Sequence, residues 1–289
     1  MDNTVPAMCA AGAAIILLGT LRNGRAIAAA RGLDRPGSLA TTCFAAPLGI
    51  FGALHLFGPQ FVIDLVPDFM PWHSFWVVFV GCALIAASVS IAGAWWVRWS
   101  GILVGILMFL FVAMIHLPGA VREPGRIIWT IVLRESSFGG AGLVFAGAAM
   151  RGESGRLKRT LPVIGRIAIA LAALLFGVEH FLHPTLLPGV PLLKEMPEWV
   201  PGRVLIDYAT GAALLAAAGS FLMNWNIRTA AAVLGGWLLL LVLLIYGPVL
   251  VDALLNPDPT VRLVGVNYFA DTLLFTGTIL SLAKPVPNL

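Results

Sequence analysis

Nine long apolar runs, separated by short polar or proline-bearing joints, leave few folds open to this chain. Each run lies near the roughly 20 residues that a helix needs to cross a hydrocarbon core about 30 Å thick. Charged residues make up 11% of the 289 positions and hydrophobic residues 59%, whereas a soluble domain carries roughly a quarter charged residues. The runs are continuous instead of alternating, which selects helices over a closed barrel, the other structure that satisfies its own backbone in lipid. The expected fold is an all-α integral membrane protein of about nine transmembrane helices, in contact with the lipid bilayer.

The runs fall at about 5–21, 41–57, 75–96, 100–117, a fifth ending at Met150, then 161–182, 203–223, 228–252 and 268–283. The first is preceded by Asp2 and followed by Arg22, Arg25, Arg31 and Arg35. A secretory leader has its positive charge before the apolar run, so this reads as a retained span with its N-terminus outside. That orientation puts twelve Lys and Arg on the inner side, Arg151 and Lys284 among them, and six on the outer side, as the positive-inside tendency requires. The expected location is a plasma membrane of the bacterial inner-membrane kind, with the C-terminus cytoplasmic. The basic residues sit in short loops and form no stripe, so nucleic acid is not an expected partner. Cys9, Cys43 and Cys82 lie inside apolar runs with no paired spacing and read as packing residues.

The chain also repeats itself. Phe51-Gly52-Ala53-Leu54-His55-Leu56-Phe57-Gly58-Pro59 returns as Phe176-Gly177-Val178-Glu179-His180-Phe181-Leu182-His183-Pro184, and Met70-Pro71-Trp72 returns as Met196-Pro197-Glu198-Trp199. Gly81, Gly105, Ile115, Pro118, Phe145 and Gly147 match Gly211, Gly235, Ile245, Pro248, Phe275 and Gly277. The offset grows from 125 to 130 within one loop and then holds. Collinear matches of this kind argue for a duplicated four-helix unit, with copies lying parallel because each holds an even number of spans. The resulting division is an N-terminal span and basic loop over 1–40, a first unit over 41–150, a basic connector over 151–160 and a second unit over 161–289. Gly101, Gly105, Gly139, Gly140 and Gly142 read as close helix contacts.

A helix closing on Gly-x-x-His, a loop rich in proline and tryptophan, a Gly-x-x-Leu-x-Ala-Ala helix and two further spans resemble the DoxX-like four-helix membrane proteins. The resemblance covers about 41–150 and 161–283. It implies a link to sulfur or quinone redox chemistry and a redox partner subunit; the fused duplication and the extra first helix depart from the family pattern.

Ionisable groups inside spans are costly and are read first as functional. In the second unit Glu179, His180, Asp207, Tyr208, Tyr246, Asn267 and Asp271 fall at helix ends expected on the outer side and form the candidate ligand site. His55, His116 and Glu135 are secondary candidates in the first unit, where Leu54, Val77 and Ala141 stand opposite Glu179, Asp207 and Asp271. The plainer readings are a histidine bonded to a nearby carbonyl for His55 and His180, hydrogen bonding between helices for the acids, and an interfacial pair for Arg134 and Glu135. A lone matched pair of histidines lacks the support a metal or haem site requires. The two proline-rich loops, 59–72 and 184–201, read either as lids over the bundle mouths or as stiff connectors along the interface. Three functions stay open: a quinone-linked redox component binding a small amphipathic ligand, a small-solute carrier, and a structural or assembly protein.

Overall fold

The computed structural model describes residues 3–150, 152 and 154–283. Asp2, Arg151 and Lys284, which entered the charge reading, lie outside the described residues, as do the rest of 284–289. Among the described residues nine helices are long and apolar enough to cross a membrane. They are α1 (Thr4–Ala29), α2 (Ala40–Phe57), α3 (His73–Ala92), α4 (Val97–Arg122), α5 (Arg126–Ala149), α6 (Arg156–Leu182), α7 (Arg203–Leu222), α8 (Ile227–Leu255) and α9 (Pro259–Ser281).

Several boundaries move from their expected places, each for a local reason. The third helix stops at Ala92 and not at Trp96, because Ala94 and Trp96 take positive φ in a tight turn closed by a Ser90 hydroxyl donating to the Trp95 carbonyl. The ninth begins at Pro259, nine residues before the expected start, since Asp258 caps it through the Thr260 N–H and Pro259 fits the first turn. α1 continues past Leu21 to Ala29 because Arg22 finds a partner in the Gly93 carbonyl, at 3.1 Å, and lies over the Trp95 ring.

α2 and α9 are the most enclosed spans, each with 78% of its apolar window buried, and they pack on each other. α5 packs on α6 and also touches α9, while α1 leans on α2 and α3 from outside. Glycine makes these approaches possible. A Cβ on Gly142 would stand 2.6 Å from the Gly101 carbonyl, and one on Gly177 would meet Leu215 at 2.7 Å and the Gly211 carbonyl at 3.1 Å. Gly52 and Gly81 cross in the same way in the first half.

The two halves share more than sequence. α3 and α7 have bounds separated by 130 at both ends, the positive-φ residues Ala94 and Trp96 recur as Asn224 and Asn226, and the Ser90–Trp95 bond recurs as Ser220–Trp225. α4 and α8 each contain one π-turn, at Val112–His116 and Val242–Tyr246, again 130 apart. Pro118 and Pro248 follow two residues later; proline lacks the N–H that the preceding turn would use and crowds the carbonyl four residues back, so the helix widens there.

The loops after α2 and α6 part company. Residues 58–72 form two short helical turns, Pro59–Val62 and Ile63–Leu65, largely on the surface. Residues 183–202 instead fold into the end of the second half, with Leu186 through Pro191 all buried. This second loop is a plug. In the first half the corresponding space holds apolar side chains: Met8 of α1 packs in one cluster with Leu54, Val62 and Val77.

Candidate functional site

The plug explains where most of the polar residues of the second half point. Its main chain is apolar-enclosed and has little regular pairing beyond the Leu186–Glu195 bridge and bonds such as Leu187 N–H to the Lys194 carbonyl. Non-helical backbone at membrane depth persists only where protein groups satisfy it. The side chains of α5, α6, α8 and α9 do so.

Arg126, on the first turn of α5, donates to Glu179 at 2.7 Å and to the carbonyls of Pro191 and Leu192 at 2.8 and 2.7 Å. Glu179 is therefore one half of an ion pair that straps the plug to the bundle. Tyr246, buried in the π-turn of α8, donates to the Pro188 carbonyl at 3.0 Å, and Thr272 hydrogen-bonds its hydroxyl. Tyr268 accepts from the amides of Leu193 and Lys194. Gly189 donates its N–H to His180 Nε2 at 2.9 Å, while His180 Nδ1 meets the Phe176 carbonyl at 2.6 Å. With Nε2 accepting, Nδ1 must carry the proton, so His180 is the neutral imidazole. His55 makes the same bond to the Phe51 carbonyl.

Asp207 differs from all of these. It lies on the second turn of α7, is fully buried, and neither carboxyl oxygen has a hydrogen-bond partner. His180 Nε2 approaches it to 3.7 Å. That spacing exceeds a hydrogen bond, and an ion pair would need a protonated ring, which the Gly189 bond to Nε2 excludes. A buried polar group left without a partner costs about 1–3 kcal/mol, and more when charged.

A second buried cluster joins the halves. Arg134 of α5 donates to Asp271 of α9 at 2.7 Å and to Glu135 at 2.8 Å, with all three side chains under 15% exposed. The solvated interfacial pair expected at Arg134 and Glu135 is thus corrected to an enclosed triad, because Asp271 supplies the second anion. His116 lies within the electrostatic reach of Glu135 and Arg134.

Of the expected site residues, Glu179, His180, Asp207 and Tyr246 converge on the plug, and Asp271 belongs to the Arg134 triad. Tyr208 is corrected outward: it is 39% exposed and stacks on Phe181 with ring centroids 5.4 Å apart, because the residue after an inward Asp207 turns by about 100° along the helix. Asn267 is half-buried, one position before Tyr268. Arg126, Tyr268 and Gly189 were missing from the expected set. An acid inside a span calls for a cation, which pointed toward Arg126; nothing in the sequence pointed to a main-chain N–H. Among the described residues no group of three or more His, Cys, Asp and Glu could hold a metal ion.

No family model, curated protein or solved structure matches the chain.

Proposed function

We propose that the second half binds a small amphipathic hydrogen-bond donor of the quinol class, making the protein a membrane component of a redox system. The observation that carries this reading is Asp207, fully buried and without a donor to either oxygen. Glu179 and Asp271 have arginines, and their burial is accounted for by ion pairing. Asp207 has no arginine, and the His180 ring 3.7 Å away is neutral, an arrangement suited to hydrogen bonding with a ligand hydroxyl. Apolar Leu238 lies beside Gly189 at the same site, which suits a ligand with an apolar body. The recurrent helix bounds and π-turns support a tandem duplication of a four-helix unit, which we read as DoxX-like, with the acid in the second copy alone. In this reading the plug lies at the outer leaflet of a bacterial inner membrane.

Equilibrium binding of a decyl-tailed benzoquinol to the protein in lipid nanodiscs tests this. Binding by the native chain that weakens about tenfold or more in Asp207→Val, a loss of about 1.4 kcal/mol, is expected. A folded native protein that binds neither the quinol nor its quinone overturns the reading and leaves these polar groups a packing role.

A further inference from the structure

A single peptide unit of the plug stands between two side chains of the site. Its oxygen, on Pro188, accepts from the Tyr246 hydroxyl at 3.0 Å, and its N–H, on Gly189, donates to His180 Nε2 at 2.9 Å. Asp207 lies 3.7 Å from that same Nε2. The hydrogen bonds by which Arg126, Tyr246, Tyr268 and His180 hold residues 188–194 all reach main chain. The polar hold on the plug is thus on its main chain, and its apolar side chains add burial.

We propose that the Pro188–Gly189 peptide unit is a built-in occupant of the ligand site, displaced when the ligand enters. The inference rests on the quinol reading and deepens it by specifying the ligand's polar pattern: an acceptor for Tyr246, a donor for His180, and a donor for Asp207 that the plug fails to provide. Three observations support it. The first half has its end covered by apolar side chains, Met8 of α1 and Leu263 and Val266 of α9 packing with Leu54, Val62 and Val77, and keeps its loop on the surface, so this position can be closed without a plug. A peptide unit offers one donor, and that donor is spent on His180, which leaves Asp207 unsatisfied. Leaving the site would uncover Leu187, Val190 and Met196, each no more than 2% exposed, so whatever replaces the plug must cover apolar surface as well as polar groups. Gly189 suits this position: its φ of +114° strains any other residue, and a Cβ would meet Thr272 Cγ2 at 3.2 Å.

The test places a cysteine at Val190, with Cys9, Cys43 and Cys82 replaced by alanine, and follows labelling by a water-soluble maleimide in nanodiscs. Labelling is expected to be slow alone and faster with the decyl benzoquinol. With Tyr246→Phe and no ligand it is expected to rise about fivefold to tenfold, the worth of one hydrogen bond. Hydrogen exchange at the Gly189 amide of the native chain, with and without the benzoquinol, reads the same opening without any substitution. Benzoquinol that binds while Val190→Cys and the Gly189 amide stay protected overturns the displaceable plug and leaves the quinol reading intact. Benzoquinol that does not bind, with labelling accelerated by Tyr246→Phe, overturns the quinol reading and supports the displaceable plug. Labelling equally fast in every case overturns the plug as an occupant.

Discussion

Arg134 and Asp271, 137 positions apart in the chain, meet at 2.7 Å inside the bundle and tie α5 to α9. Neither helix alone could hold its charge at that depth. Removing one partner leaves the other buried and uncompensated. Arg134→Met is expected to lower stability by about 3–5 kcal/mol, read as unfolding in detergent. Arg134→Met combined with Asp271→Leu and Glu135→Gln, which removes every charge of the triad, should recover much of that loss, and a triple variant no better than the single one would show that the three are not coupled.

Asp207→Val places in the second half the residue that the first half has at Val77. It removes an unsatisfied buried carboxyl group and should raise unfolding stability by about 1–3 kcal/mol. The same substitution should weaken benzoquinol binding about tenfold or more. Gain of stability with loss of function is what a residue kept for chemistry produces; a destabilised variant would mean that Asp207 has a structural partner.

Gly189→Ala puts a Cβ on a residue at φ +114° and against Thr272. The strain should cost about 1–3 kcal/mol and fall on the plug, so that hydrogen exchange speeds over Leu186 to Lys194 and stays unchanged in α2 and α9. Uniform acceleration through the bundle would show that the plug is part of the folding core.

Tyr208→Leu should alter neither stability, within about 0.5 kcal/mol, nor benzoquinol binding, because the ring stacks on Phe181 at an exposed face. A binding defect would place Tyr208 in the site after all.

Helical class and span number could be read from the sequence because apolar run length is a one-dimensional property that the bilayer imposes directly. The histidine bonds of His55 and His180 were also legible, since a carbonyl four residues back is always within reach on a helix. Arg134 was misjudged, and Arg126 left out, for the opposite reason: whether a charge is solvated depends on what another helix brings to it, and Glu179 and Asp271 arrive from elsewhere in the chain. The plug was the least legible element. Prolines from 184 to 201 mark a stiff loop equally well on a surface or inside a bundle, and the five extra residues relative to the first copy say that the loop is longer without saying where it goes.

The paired π-turns, 130 positions apart, put the same backbone irregularity into α4 and α8. His116 and Tyr246 close the same turn at the same place in their respective halves, although one is an imidazole and the other a phenol. The irregularity is common to both halves, whereas the acid at 207 and the buried loop are found in the second alone. The widened helix is thus a shared piece of architecture, and the halves differ in the side chains that it carries.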